Sequence, residues 1–158
     1  MSGRDDKAAL RLWLRLLACS TAVEREVGRR LREEFGSTLP RFDLLSALDR
    51  AGEAGLTMGE AAERLRVTNG NVTGVARRLE AEGLIERRAG PDRRVQRLRL
   101  TAGGRARFAA MAAAHAGWIG GLFTGLDGGE IEQLGGGLER ARSSIRSALR
   151  EEATHEGA

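Results

Sequence analysis

Residues 57–100 carry two closely spaced helical patterns followed by an abrupt change to strand period, and this order constrains the fold more than any other feature of the chain. Thr57-Met58-Gly59-Glu60 has the form of a capping box, in which a Thr hydroxyl and a Glu carboxylate three residues later satisfy each other's orphan amides. It predicts a short helix with Ala61, Ala62 and Leu65 inside. Arg66-Val67 forms a tight connection to Thr68, which is placed as an N-cap. From there Val72, Val75, Ala76 and Leu79 form an inner stripe that ends at Gly83, placed as a C-cap. Residues 84–88 and 96–100, the second run strictly alternating, are joined by Ala89-Gly90-Pro91-Asp92-Arg93-Arg94-Val95. A Gly-Pro-Asp turn between two such runs predicts a β-hairpin.

Long helices are expected on either side. Residues 8–35 run without Pro, and Leu10, Leu12, Trp13, Leu14, Leu16 and Leu17 cover nearly the whole circumference of the first half. A helix apolar all round must be covered on all sides, and in a short chain a second subunit is a natural source of cover. The second half is one-sided, with Val23, Val27, Leu31 and Phe35 about a turn apart, and Gly36 and Pro40 end it. Phe42, Leu44, Leu45 and Leu48 mark another helix, stopped near Gly52. After the hairpin, Thr101 caps a long helix containing Phe108, Met111, Ile119, Leu122 and Phe123. Asp127 and Glu130 open a last one through Ile131, Leu134, Leu138, Ala141, Ile145 and Leu149. Gly135-Gly136-Gly137 is expected to weaken or break that helix, since each Gly costs about 1 kcal/mol relative to Ala. The polar tail after Arg150 is expected to fray.

Several function classes lack the residues they need. At 158 residues the chain suits one domain of ordinary size. No apolar run approaches the roughly 20 residues that cross a bilayer, and MSGRDDK is no secretory leader, so a cytoplasmic protein without membrane association is expected. Two histidines, His115 and His155, and one cysteine, Cys19, stand too far apart for a zinc site, so no metal or cofactor is expected. The glycine clusters GLDGGE and LGGGLE lack the Lys-Ser/Thr of a phosphate loop, and no nucleophile–base pair is evident, which argues against an enzyme.

Charge placement is more informative than the formal net charge of +4, because all basic residues but Lys7 are Arg. Residues 84–107 hold eight Arg against two acids, so the positive charge is concentrated in one segment, as an electrostatic footprint is. Short helix, tight turn, second helix and Arg-tipped hairpin make the winged helix-turn-helix order, and its second helix suits the major groove of duplex DNA. Opposite the buried stripe, that helix shows Asn69, Gly70, Thr73, Gly74 and Arg77, with Asn71 and Arg78 flanking. Asn can pair bidentately with adenine and Arg with guanine, while glycines permit close approach. Arg93 and Arg94 at the hairpin tip are placed to meet the negative potential of a minor groove. The blander alternatives are a solvated Arg face, first-turn amide capping by Asn69 and Asn71, and a winged helix used only for protein contacts.

The stretch TNGNVTGVARRLEAEGLIERRAGPDRRVQRLRL, residues 68–100, resembles the MarR family of transcriptional regulators, and the resemblance extends over roughly 8–150. The R-L-E-x-x-G-L-I exit of the second helix matches the family's recognition helix, and Asp92-Arg93-Arg94 matches the D-x-R of its wing. The resemblance implies a mainly α fold with a small β-hairpin, with 36–100 as a winged helix-turn-helix DNA-binding domain and 8–35 with 101–150 as a helical dimerisation region. It implies a homodimer on a pseudo-palindromic operator, commonly a repressor, with Thr68, Asn69, Gly70, Asn71, Thr73 and Arg77 on the recognition helix. Arg94 would enter the minor groove, and Asp92 would orient the wing through ion pairs. It also implies a site for a small, often aromatic, anionic effector, for which Trp13 and Phe42 are candidate walls and Arg11, Arg15 and Arg41 candidate anion partners. Some family members sense peroxide through a cysteine activated by Tyr. This chain has no Tyr and no His or Lys near Cys19, so Cys19 is read as a small buried hydrophobe, with a redox-sensing regulator as the alternative.

Overall fold

The computed structural model describes residues 3–65 and 69–155. In chain order the elements are α1 (Gly3–Phe35), α2 (Leu39–Ala51), a single 3-10 turn (Gly52–Ala54), α3 (Met58–Leu65), α4 (Asn69–Ala81), β1 (Ile85–Ala89), β2 (Gln96–Leu100), α5 (Ala102–Leu122) and α6 (Gly128–His155). They fall into two compact units, Met1–Ile119 and Gly120–Ala158.

The core of the first unit lies where the apolar stripes predict. Val27 and Leu31 of α1 meet Leu44, Leu45 and Leu48 of α2, Ala61 of α3, and Val72, Ala76 and Leu79 of α4, all buried. Ile85, Leu98 and Leu100 bring the hairpin into the same cluster, and Met111 and Trp118 bring in α5. Gly36, at φ 59°, ends α1, its N–H donating to the Arg32 carbonyl. Pro40 does not close α1. It sits in the first turn of α2, where its missing N–H would have had no helical partner. The capping box forms as its spacing dictates: Glu60 N donates to Thr57 Oγ1 at 3.1 Å and Thr57 N to Glu60 Oε2 at 2.9 Å. The Arg66-Val67 connection and the Thr68 cap lie outside the described residues.

The hairpin pairs Ile85 with Leu100, Arg87 with Leu98 and Arg88 with Arg97 in antiparallel register. A feature without a sequence signal extends it: Leu56 and Leu98 exchange backbone hydrogen bonds of 3.0 and 2.7 Å, adding a one-residue third strand. Gly55 makes this approach possible, because at φ 63° a Cβ there would stand 2.4 Å from the Leu98 carbonyl oxygen. The other face of the hairpin root is locked to α5. Thr101 Oγ1 donates to the Gly83 carbonyl at 2.7 Å and accepts from Gly104 N at 2.9 Å, capping α5 as expected.

The second unit corrects three expectations. α6 runs unbroken through Gly135-Gly136-Gly137. Glycine keeps its backbone donor and can hold helical dihedrals, and a reciprocal Asp127–Glu130 cap, both bonds 2.9 Å, anchors the start of the helix. The tail does not fray at Arg150 either, since the good helix formers Glu151, Glu152 and Ala153 carry α6 to His155. Phe123 falls just beyond α5, in the turn that follows it.

A further correction concerns Cys19. It is exposed on α1 rather than buried, in the same stretch as the half-exposed Leu10, Leu12, Trp13, Leu14 and Leu17. α6 likewise leaves Ile131, Leu134, Leu138, Ile145 and Leu149 uncovered, up to 61% exposed at Leu149. No helix among the described residues is long and apolar enough to cross a membrane.

Candidate nucleic-acid interface

α4 buries Val72, Ala76 and Leu79 completely and presents Asn71, Gly74 and Arg77 to solvent, with Thr73 partly covered. Arg77 has no hydrogen-bond or ion-pair partner among the described residues, whereas Arg78 pairs with Glu82 at 3.1 Å. Nothing approaches a Cβ built on Gly74, so this face is open along its middle. Thr68 lies outside the described residues, and so does the side chain of Asn69, while Gly70 follows it in the first turn of α4. α4 ends in the motif that glycine favours: Gly83 at φ 69° donates to the Glu80 carbonyl, and Leu84 N donates to the Leu79 carbonyl at 2.9 Å.

The wing tip is a closed turn rather than a loose loop. Gly90 N donates to the Val95 carbonyl at 2.8 Å and Val95 N to the Asp92 carbonyl at 2.9 Å. Asp92 Oδ1 accepts the backbone N–H of Arg94 at 3.1 Å, the Asx arrangement by which a short acidic side chain fixes a turn. The Arg94 guanidinium is only 3.5 Å from the same oxygen and its side chain is 93% exposed. Asp92 thus shapes the turn chiefly through the backbone, and only weakly through the ion pair that the resemblance implied.

The eight arginines of 84–107 do not act as one footprint. Arg87 forks onto Glu80 with bonds of 2.8 and 3.2 Å, and Arg97 reaches Glu60 at 2.8 Å and the Ala54 carbonyl at 2.7 Å. Arg99 and Arg105 both approach Glu53, and Arg107 donates to the Phe35 carbonyl while lying over the Phe35 ring. Arg88 pairs with Glu86 at 2.6 Å on the exposed side of the hairpin. What remains directed at solvent is the tip: Arg94, held loosely, and Arg93, without a partner among the described residues. Three acids from elsewhere in the chain, Glu53, Glu60 and Glu80, offset half of the local excess of six, and the cationic patch at the wing is correspondingly smaller.

A model of the MarR family matches residues 35–95, which span α2, α3, α4 and most of the hairpin. A solved structure of a MarR family transcriptional regulator from Silicibacter pomeroyi superposes with a TM-score of 0.76 at 28% identity, covering 92% of this chain and 99% of that one. Residues 35–95 carry the MarR family pattern, and along most of its length the chain is similar in fold to a MarR family regulator. It is also similar to MepR of Staphylococcus aureus, solved as a complex with DNA, at a TM-score of 0.69, 25% identity, and coverage of 82% and 93%. The transcriptional activatory protein BadR of Rhodopseudomonas palustris is 36% identical over 93 residues, 58% of this chain. The match spans about half the length of that curated relative, 51%.

The residues singled out for an effector are not gathered into one cleft within a single chain. Arg11, Trp13 and Arg15 lie on the exposed first half of α1, Trp13 being about 21 Å along the helix from Val27 where the core begins. Arg41 is buried, donating to Glu82 and to the Gly36 carbonyl, so its charge closes the α1–α2 corner. Phe42 is packed against Phe108 and His115 at centroid distances of 5.6 and 4.9 Å. In the sequence His115 stands out only as a histidine too isolated to help hold zinc. It belongs instead to an aromatic cluster that continues through Trp118 to Phe35, with Arg30 over the Trp118 ring. The spacing of Phe108, His115 and Trp118 along one side of α5 was the available signal.

Asp43 stands beside that cluster on α2. Burial, with repulsion from Glu24, pushes its carboxyl above the usual carboxylate range against the pull of His115 and Arg50. A raised native pKa gives stability that is complete below the unfolded value and is lost as pH rises through the native one, so the ionised form is a cost at neutral pH. Asp43→Asn is therefore expected to raise the melting temperature at neutral pH and to leave it unchanged at about pH 3, where both side chains are uncharged. Matched thermal melts check this, and equal shifts at both values would contradict it.

Proposed function

We propose that the protein is a cytoplasmic, homodimeric transcriptional regulator that reads duplex DNA with the outer face of α4 and the tip of the wing. The observation that carries this is the pairing of an open helix face, with Asn71, Gly74 and Arg77, and a stiffened turn that offers Arg93 and Arg94. A helix of that kind suits the major groove and an arginine tip the minor groove. The similarity to a MepR–DNA complex supports the reading. Residues 36–100 form the reading domain in this account, and 8–35 with 101–150 the dimerising region. Footprinting on duplexes selected from a random pool tests the reading: protection of an imperfect palindrome, with half-sites about one helical turn apart, is expected.

The dimer is supported by the uncovered apolar residues of α1 and, separately, those of α6. Sedimentation is expected to give a stable dimer at micromolar concentration, with an interface above the roughly 2,000 Å² at which obligate dimers begin. A stable monomer would contradict it. Repression, relieved by a small aromatic or anionic ligand, is the mode we favour from the family resemblance. Such a ligand must itself bind less tightly to the DNA complex than to free protein. Calorimetry that found one ligand affinity in both states would rule out that release mechanism. Activation is the second reading, supported by the resemblance to the activatory protein BadR, and a reporter assay that loses expression on deletion of the gene would favour it.

A further inference from the structure

The geometry points to two Arg–Glu clamps, Arg87–Glu80 and Arg97–Glu60, as the positioning residues that hold the wing tip at a fixed place relative to the recognition helix. This rests on the DNA-reading function proposed above. A two-stranded hairpin of five-residue strands is marginal by itself, so its tip is only as well placed as its attachments. The clamps attach one strand each. Arg87 on β1 forks onto both carboxylate oxygens of Glu80 on α4. Arg97 on β2 donates to the Ala54 and Gly55 carbonyls, at 2.7 and 3.1 Å, and to Glu60 Oε2 at 2.8 Å. That same oxygen accepts Thr57 N, so the wing is tied directly into the cap of α3.

The register makes the arrangement two-sided. Arg87 stands opposite Leu98 and Arg97 opposite Arg88, and because side chains alternate along a strand, Arg87 and Arg97 emerge on opposite faces of the hairpin. One clamp on each face resists rocking in both directions, which a pair on one face would not. Both arginine side chains are mostly covered, at 35% and 22% exposure, and each already gives its Nε and Nη2 donors to partners inside the chain. Their charge is spent on placement. The loosely held Arg94 is left to contact DNA, at a distance from α4 that the clamps set.

The test compares the wild-type chain with Arg87→Gln, Arg97→Gln and the reversed pair Glu80→Arg/Arg87→Glu. Hydrogen exchange of the amides of 85–100 is read without DNA. Affinities are read for a duplex selected by the wild-type chain and for a scrambled duplex of equal length, at several salt concentrations. In the single variants, wing exchange is expected to quicken and the ratio of selected to scrambled affinity to fall about tenfold, with the salt slope unchanged. The reversed pair is expected to restore both. A salt slope flatter by about one in the single variants, with exchange unchanged, would show direct phosphate contact and overturn the clamps. A wild-type chain without sequence preference would overturn the DNA-reading function and the positioning role with it. Unchanged exchange in a chain that does discriminate would overturn the clamps alone.

Discussion

Gly104→Ala is expected to destabilise the first unit more than alanine at any other glycine among the described residues. A Cβ at this position would stand 1.8 Å from the carbonyl oxygen of Leu84 and 2.8 Å from its carbon. The obstacle is backbone, so no side-chain rotation relieves it. The segment behind that carbonyl is also pinned, because Thr101 N donates to the Leu84 carbonyl and Thr101 Oγ1 to the Gly83 carbonyl. Relief requires α5 to back away from the α4–β1 turn, pulling against the core contacts of Met111 and Ile85. Overpacking of this severity costs about 3 kcal/mol or more, which for a chain of this length lowers the melting temperature by about 10 °C. Gly74→Ala is the control. It meets nothing within 4 Å on a helical backbone, and is expected to stabilise by up to about 1 kcal/mol. Equal melting temperatures for the two variants would refute the close approach at Gly104.

The second large effect separates the wing from the helix. Arg94→Ala removes an almost fully exposed guanidinium whose position senses groove width and phosphate charge more than base identity. It is expected to weaken binding to selected and scrambled duplexes alike, and to flatten the salt slope by about one unit. Arg77→Ala removes a guanidinium that has no partner among the described residues from the middle of the open α4 face. It is expected to cost about 1–3 kcal/mol on the selected duplex and much less on the scrambled one. Titrations of both variants at one fixed salt concentration give the comparison. Should Arg94→Ala abolish sequence preference while Arg77→Ala preserves it, the two elements have each other's roles.

What was legible in the sequence was local. The caps at Thr57 and Asp127, the stop at Gly83 and the paired strands are set by residues within a few positions of one another, and spacing alone finds them. The core stripe of α4 was equally readable, because Val72, Ala76 and Leu79 repeat at the helical period. The glycine triplet misled because intrinsic propensity is a small term, and a well-started helix carries three poor residues through. The arginines misled for another reason. Whether Arg97 faces DNA or Glu60 depends on a partner 37 residues away, and Arg41 finds Glu82 across 41. Charge counted along the chain cannot see such pairs. The effector residues had no such local support, since Trp13 and Phe42 were joined by resemblance rather than by any spacing that fixes their separation.

The central claim is that α4 and the wing tip read duplex DNA, and binding of the wild-type chain to selected and scrambled duplexes between about 50 and 200 mM salt tests it most directly. The account predicts that log affinity falls linearly with log salt on both duplexes, as phosphate contacts release counterions, while the selected duplex stays favoured throughout. Affinity that ignores salt, or that is the same on the two duplexes at every concentration, would contradict it.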